Sequence, residues 1–356
     1  MVDGSRDNAG QRTVARIFRD AFAEPEFSHG VPGGFVWWAY DRPQLVRVVG
    51  EREGPDGPSD MAYLVEVRTP VVSIGDVTPK HRVLMGLQLM DFATMAGPVI
   101  NESEGTVDLV SVVAVHDEVE RQMEIALSMA AMLQVDWAWR MGRVLANQGV
   151  GEDATVPHST KGLPEKSHPV LLFVENEVLE AGRQPSRWTS EEFQSVFAGD
   201  MQRPPALFAR VGPHSVAADF PFGDESSLFQ ACSDQSHMRY GNGLFILQTF
   251  PMPPMSIEQG YEIAWLMNKR FLEEDLRGYG LGSFCYRAPS LHFCTFVPNL
   301  LYVTGLLRNF YVASANRAKA VSSILTGNGW ENETFDIAKS GLARSLADER
   351  SRLESN

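Results

Sequence analysis

A shift of the sequence against itself by 183 residues aligns two long stretches without a gap, from about residue 41 to about residue 145 of the first copy. Leu45–Gly50 then falls on Leu228–Ser233, and Val107–Val115 falls on Ser290–Pro298. Few aligned residues are identical, but strands align with strands, helices with helices, and turns remain in register. Because each copy is long enough to bury a core of its own, the repeat predicts two copies of one module.

The elements of each copy follow from the spacing of apolar residues. Val14, Ile17 and Phe18 at i, i+3 and i+4 predict an amphipathic helix, and alternation over 63–71 predicts a strand. The first copy is predicted as a helix at 11–24, strands at 35–40, 45–49 and 63–71, a helix at 79–95, a hairpin of 99–101 with 107–115, and a helix at 117–147. The second copy is predicted as a helix at 189–199, strands near 206–220, 228–233 and 244–252, a helix at 258–276, a hairpin at 281–297 and a helix at 300–325.

Both copies have the order α-β-β-β-α-β-β-α, which predicts an α+β fold with antiparallel sheets and helices packed on one face. The predicted domains are a first module at 1–148, a linker with an extra strand at 149–188, a second module at 189–329 and a C-terminal helical tail at 330–356. We expect Val170–Val174 to be an extra strand or a docking segment, and the stretch 51–60 to be a polar loop.

The charge of the chain narrows the classes of partner. With 31 basic and 45 acidic side chains the net charge is −14, which opposes binding to nucleic acid or to an anionic membrane surface. The apolar stretches are too short to span a bilayer. Three cysteines, an odd and small number, are typical of a reducing compartment. The sequence therefore predicts a cytoplasmic protein.

The order of elements in each copy, ending in a hairpin and a long helix at 107–147 and 290–325, resembles the type III secretion chaperones of the CesT kind and the related YbjN-like domains. The resemblance covers roughly 11–147 and 189–325. It implies a module that dimerises and binds peptide segments of a client protein, with no catalytic motif and no cofactor. Two copies in one chain then imply a pseudo-two-fold pair built within the chain.

Aromatic and methionine side chains supply the candidate contacts for such a client. Consecutive tryptophans on a strand face opposite sides, and a stiff Pro-Met segment follows the third strand of the second copy. Core packing is the alternative explanation, since methionine fills irregular gaps. The residues predicted to contact a peptide are Trp37, Trp38, Phe220, Phe222, Met252 and Met255.

Cys285, His292 and Cys294 form the most metal-like cluster, since a hairpin would place all three on one face. The equivalent positions of the first copy are Glu102, Leu109 and Ser111, and the spacing matches no common zinc motif. The sequence therefore predicts no metal site here.

These observations predict a non-enzymatic peptide- or protein-binding module that buries an apolar client segment. Two alternatives stay open at this point. One is an enzyme with a site between the two copies, and the other is a structural or regulatory subunit that forms a homo-oligomer through the tail at 330–356.

Overall fold

The computed structural model of the chain describes residues 8–21, 23–39, 41–54, 57–75, 77–90, 95–162, 169–197, 208–274, 276 and 279–326. By its internal contacts the chain divides into two compact units. Unit 1 contains Met1–Glu177 and Trp265–Ser283, and unit 2 contains Val178–Ala264 and Phe284–Asn356. The tail predicted at 330–356 lies outside the described residues.

The first half of the chain follows the predicted order, with one additional strand before the predicted ones and a short one after the last helix. Its elements are α1 (Ala9–Asp20), β1 (Ser28–Val31), β2 (Gly34–Trp38), β3 (Pro43–Gly54), β4 (Gly57–Ser73), α2 (Pro79–Leu89), β5 (Gly97–Asn101), β6 (Thr106–Val115), α3 (Glu120–Asn147) and β7 (Glu152–Asp153).

The second half repeats this order after two short helices, and a third short helix takes the place of α1. Its elements are α4 (Pro169–Phe173), α5 (Leu179–Arg183), α6 (Ser190–Ser195), β8 (Phe208–Val211), β9 (Ser215–Phe222), β10 (Glu225–Cys232), β11 (Ser236–His237), β12 (Gly241–Pro251), α7 (Ile257–Leu272), β13 (Tyr279–Gly280), β14 (Ser283–Arg287), β15 (Ser290–Pro298) and α8 (Leu306–Thr326).

The repeat that the sequence predicts is present in the structure. Each element from α1 to α3 has a counterpart that begins within five residues of the position 183 further on, so that β3 matches β10 and β6 matches β15. Both described sheets are antiparallel along their whole strand order. The α+β fold with two tandem modules is therefore confirmed.

The sheet of unit 1 is covered on both faces. Its order is β1-β2-β3-β4-β6-β13, with β5 paired to β6 and β7 to β4, which gives eight strands among the described residues. Helices α1 and α3 pack on one face against the fully buried Val65 and Val67 of β4. On the other face Leu64 and Val112 form a buried cluster with Leu272, from the part of α7 that belongs to unit 1.

A charged cluster lies on that second face of unit 1. The Arg68 guanidinium contacts the carboxylates of Glu66 at 3.3 Å, Asp108 at 2.9 Å and Glu273 at 2.5 Å. Although burial lowers the pKa of Arg68, the three negative charges raise that pKa above its ordinary value. A buried guanidinium is costly unless carboxylates pair with it, so Glu273 helps to hold the segment 265–283 on this unit.

The units do not follow the boundaries of the repeats. Residues 265–283 belong to the second repeat in sequence but pack within unit 1, where the Trp265 indole N–H donates to the Arg82 carbonyl at 3.1 Å. These two positions are 183 residues apart, one repeat length. The boundaries of the two packed units therefore differ from the boundaries of the two sequence repeats.

Two local predictions were wrong. Val170–Val174 is helical, because α4 begins at Pro169 and continues as a π-helix over Val174–Val178. The fully buried Val170, Val174 and Val178 recur every fourth residue, and a run of five apolar residues does not distinguish such a helix from a strand. The expected polar loop at 51–60 is a continuation of β3 and β4, whose backbones pair from Glu51↔Tyr63 to Gly54↔Gly57.

Buried polar side chains connect the sheet of the first repeat to α3. The Gln44 amide donates to the Thr69 hydroxyl at 2.8 Å and to the Ala131 carbonyl of α3 at 2.9 Å. Gln134 accepts from Thr69 at 3.0 Å and donates to the Ser111 hydroxyl at 2.8 Å. The side chains of this network are fully buried, so each bond satisfies a group that water does not reach.

An equivalent network connects the sheet of the second repeat to α8. The Gln248 amide donates to the Ser227 hydroxyl at 3.1 Å and to the Ser314 carbonyl at 2.8 Å, and Arg317 donates to Gln248 at 3.1 Å. Ser227, Ser314 and Arg317 lie 183 residues after Gln44, Ala131 and Gln134. The two repeats therefore share a polar contact between sheet and helix, although they share few residue types.

We predict that Gln134→Leu destabilises the protein by about 1–3 kcal/mol, because it keeps the volume of the side chain but removes the acceptor of the Thr69 hydroxyl and the donor to the Ser111 hydroxyl. Urea denaturation followed by circular dichroism measures the change. The control is Gln148→Leu, an exposed position at the end of α3, which should change the unfolding free energy by less than about 0.5 kcal/mol. Equal losses in the two variants would contradict the role given to the network.

Candidate interaction surface

The central strands of unit 2 place their side chains in alternating rows on two faces. The sheet order is β14-β15-β12-β10-β9-β8, with β11 paired to β12. On the face that packs toward α6 and α8, rows such as Phe229, Gln248 and Phe293 are at most 2% exposed. We call the opposite face the outer face. Its three rows are Leu228, Thr249 and His292; Gln230, Leu247 and Cys294; and Cys232, Phe245 and Phe296.

The outer face of unit 2 is accessible to solvent over two of its three rows. Leu228, Leu247 and Thr249 are half-buried, and Gln230 is exposed. The third row is covered by a turn, since the His237 ring lies 4.7 Å from the Phe296 ring and 6.0 Å from the Phe245 ring. The accessible part of the outer face therefore combines aliphatic side chains with hydroxyl, imidazole and thiol groups.

The turn that covers the third row is held by its histidine. The Nδ1 atom of His237 accepts from the backbone N–H of Arg239 at 3.1 Å and of Tyr240 at 3.2 Å. Gly241 then takes a positive φ of 70°, which glycine adopts without steric cost. At His158–Gly162 the same pattern recurs in unit 1, where His158 Nδ1 accepts from the N–H of Thr160 and Lys161. Both histidines are therefore structural.

The three cysteines of the chain all lie in unit 2. The Sγ atoms of Cys285 and Cys294 are 3.9 Å apart on the neighbouring strands β14 and β15. His292, two residues before Cys294, has its Nδ1 atom 3.1 Å from the Thr249 hydroxyl, and burial lowers the pKa of its imidazole. Burial and the nearby Asp234 raise the pKa of Cys232 to about 11.

The described geometry does not favour a metal site formed by Cys285, His292 and Cys294. Among the described residues no group of three histidine, cysteine or carboxylate side chains is arranged to hold a metal ion. The His292 ring is directed toward Thr249 on β12, while the two thiols contact each other. A zinc site requires its ligands to converge on one point at about 2.0–2.3 Å, and this arrangement does not provide that convergence.

Strand β8 is one edge of the unit 2 sheet. It pairs with β9 from Phe208↔Asp219 to Val211↔Val216 and ends the strand order of the described sheet. The Gly212 N–H donates to the Ser215 carbonyl at 2.8 Å, so the backbone of residue 212 is directed toward β9. Backbone groups alternate sides along an antiparallel strand. The N–H and C=O groups of Ala209 and Val211 are therefore directed away from the sheet.

Four of the six residues predicted to contact a peptide lie in the cores. Trp37 is fully buried and donates to Gln44 at 3.0 Å, and Trp38 donates to the Val156 carbonyl at 2.8 Å. Phe220 packs 5.5 Å from the Tyr311 ring, and Phe222 packs 5.7 Å from the Phe250 ring. Consecutive aromatic residues on a strand occupy both of its faces, and here both faces are covered. The core-packing alternative therefore describes these four side chains.

The two predicted methionines, Met252 and Met255, are half-buried in the segment after β12. Neither methionine belongs to the three rows of the outer face or to β8. The exposed large apolar side chains that the structure describes in unit 2 are Val211 at 42%, Met238 at 75% and Ile257 at 54% exposure.

The edge strand β8 was not predicted, because the sequence pattern predicts a single strand near 206–220. The chain instead turns back at Gly212–Ser215 and forms the two strands β8 and β9. The signal was present, since Gly212-Pro213 is a dipeptide typical of turns.

The chain matches no model of a protein family, no curated protein and no solved structure. The resemblance to secretion chaperones and YbjN-like domains therefore rests on the order of elements, and the assignment of a family stays a prediction. Among the described helices, even the 28-residue α3 lacks an apolar stretch long enough to cross a bilayer.

We predict that Cys232 reacts with iodoacetamide about 100-fold more slowly than an ordinary thiol near pH 8, because the thiolate is the nucleophile and a pKa of about 11 leaves little of it at that pH. The rate should rise with pH up to about 11. A variant with Cys285→Ser and Cys294→Ser isolates this thiol, and the same variant unfolded in urea serves as the control. Equal rates in the folded and unfolded protein would contradict the prediction.

Proposed function

We propose that the chain is a non-catalytic protein-binding module that takes an extended segment of a client as an added strand at β8. The observation that carries this proposal is the orientation of the β8 backbone. Ala209 and Val211 present two N–H donors and two C=O acceptors away from β9. A segment that adds to a sheet edge gains main-chain hydrogen bonds at this spacing.

The side chains of β8 favour an apolar face on the incoming segment. The pairing Ala209↔Ala218 and Val211↔Val216 places both β8 side chains on the face that carries α6 and α8. Ala209 and Val211 are nevertheless exposed, since they lie at the end of the sheet. An added strand with apolar residues at alternate positions would cover them and extend the core of unit 2 by one strand.

The charge of the protein restricts which segments would bind. With a net charge of −14, the chain repels acidic peptides at long range and attracts basic ones. This effect acts mainly on the rate of encounter and on the choice between partners. The proposed client segment is therefore extended, neutral or basic, and apolar at alternate positions.

We predict that Ala209→Pro weakens peptide binding by roughly tenfold, about 1.4 kcal/mol, because it removes one outward N–H donor. That N–H makes no bond to β9, so the proline is compatible with an edge strand. The probes are extended 12-residue peptides selected from a random display library on the full chain. Fluorescence anisotropy with labelled peptides measures the dissociation constant.

The matched control is Ala209→Val, which keeps the N–H group and suits a strand. It should retain binding within about twofold of the unsubstituted chain. Selection of no peptide, or equal affinity for the proline variant and the unsubstituted chain, would argue against strand addition at β8. Thermal denaturation of both variants separates a loss of binding from a loss of folding.

A further inference from the structure

Cys285 and Cys294 are the one thiol pair in direct contact among the described residues. Their sulfur atoms are 3.9 Å apart across β14 and β15, which form a hairpin around Ala288-Pro289. A disulfide bond has a length of about 2.04 Å. The two sulfurs must therefore approach each other by about 2 Å for the bond to form.

The two thiols differ in access to solvent. Cys285 is 2% exposed, whereas Cys294 is half-buried in the middle row of the outer face beside Leu247. An oxidant from solution therefore reaches Cys294 first. Cys285 lies behind it, at contact distance, where it can attack a modified Cys294 without an encounter with a second molecule.

Cys232 is an internal control for the reactivity of the Cys285 and Cys294 pair. It lies on β10 in the third row of the outer face, paired with Phe245 on β12, and β15 and β12 separate its strand from β14. The thiol contact of the structure joins Cys285 to Cys294.

We propose that Cys285 and Cys294 are a dithiol modification site, at which a hydroperoxide forms an intramolecular disulfide. The Cys294 thiolate attacks one peroxide oxygen, so that an S–O bond forms and the O–O bond breaks. The leaving oxygen takes up a proton and departs as an alcohol, or as water when the oxidant is hydrogen peroxide. Cys294 is then a sulfenic acid.

In the second step the Cys285 sulfur attacks the sulfenic sulfur. The S–S bond forms, the S–O bond breaks, and the hydroxyl leaves as water with the proton from Cys285. In total the two thiols lose two protons and two electrons, and the peroxide is reduced to water and an alcohol. This chemistry is independent of the strand addition proposed for β8.

Peptide mapping of the full chain tests the site directly. The folded protein is treated with hydrogen peroxide, unfolded, alkylated with iodoacetamide and digested with trypsin. Cleavage after Arg287 separates Cys285 and Cys294 into the peptides 278–287 and 288–308. We expect these two peptides joined by a disulfide, while Cys232 carries the alkyl group.

Substitution of each cysteine assigns the roles. Cys285→Ser should leave Cys294 as a sulfenic acid that dimedone traps, and Cys294→Ser should abolish both the linked peptide and the dimedone adduct. Cys232→Ser is the matched control and should form the linked peptide as the unsubstituted chain does. Circular dichroism verifies that each variant is folded.

Three outcomes would overturn the proposal. The first is the absence of the linked peptide in folded protein that peroxide has otherwise oxidised. The second is a link through Cys232, within one chain or between two chains. The third is a Cys285–Cys294 link that forms faster in urea than in the folded protein, since the native contact would then play no part.

Discussion

The position of the long C-terminal helix on the sheet of each repeat depends on a buried amide-to-carbonyl hydrogen bond. In the first repeat Gln44 donates to the carbonyl of Ala131, and in the second Gln248 donates to the carbonyl of Ser314. The two carbonyls lie one repeat length apart, although the amides lie on different strands. An unsatisfied buried polar group costs about 1–3 kcal/mol. The network therefore favours one position of the helix on the sheet over positions in which the helix is shifted along the sheet.

That placement determines which surfaces remain for other contacts. In each unit the long helix that ends the repeat packs on one face of the sheet, which leaves the other face and the edges. In unit 1 the second face is filled by the segment 265–283, through Leu272 and Glu273. In unit 2 the outer face keeps two accessible rows, and the edge strand β8 keeps the outward backbone groups of Ala209 and Val211. The proposals for function and for the dithiol both concern unit 2 for this reason.

Much of the fold could be predicted from the sequence, because alternation and helical spacing recur at a constant interval of 183 residues. The hairpin of β5 and β6 and the long helix α3 were predicted close to their observed bounds. The burial of Trp37 and Trp38 was not predicted. Whether both faces of a strand are covered depends on tertiary packing, which the local sequence pattern does not report. The packing of residues 265–283 within unit 1 depends on contacts such as Arg68 with Glu273, 205 residues apart, which no local pattern reports.

The candidate site was harder to predict than the fold. Alternation along a hairpin predicts Cys285 and Cys294 on one face, and the structure brings their thiols into contact. The polar networks were not found, because Gln134 in one repeat corresponds to Arg317 in the other and a comparison of residue types does not pair them. The edge at β8 was concealed by a predicted strand that ran through the turn at Gly212–Ser215.

Amide hydrogen exchange with and without a bound peptide tests, at single residues, whether a client segment adds as a strand at β8. Before binding, the amides of Ala209 and Val211 should exchange rapidly, while the inward amide of Arg210 is already protected. A bound strand should protect Ala209 and Val211 and leave Arg210 nearly unchanged. Protection confined to the outer face or to unit 1, with rapid exchange retained at Ala209 and Val211, would contradict strand addition at β8.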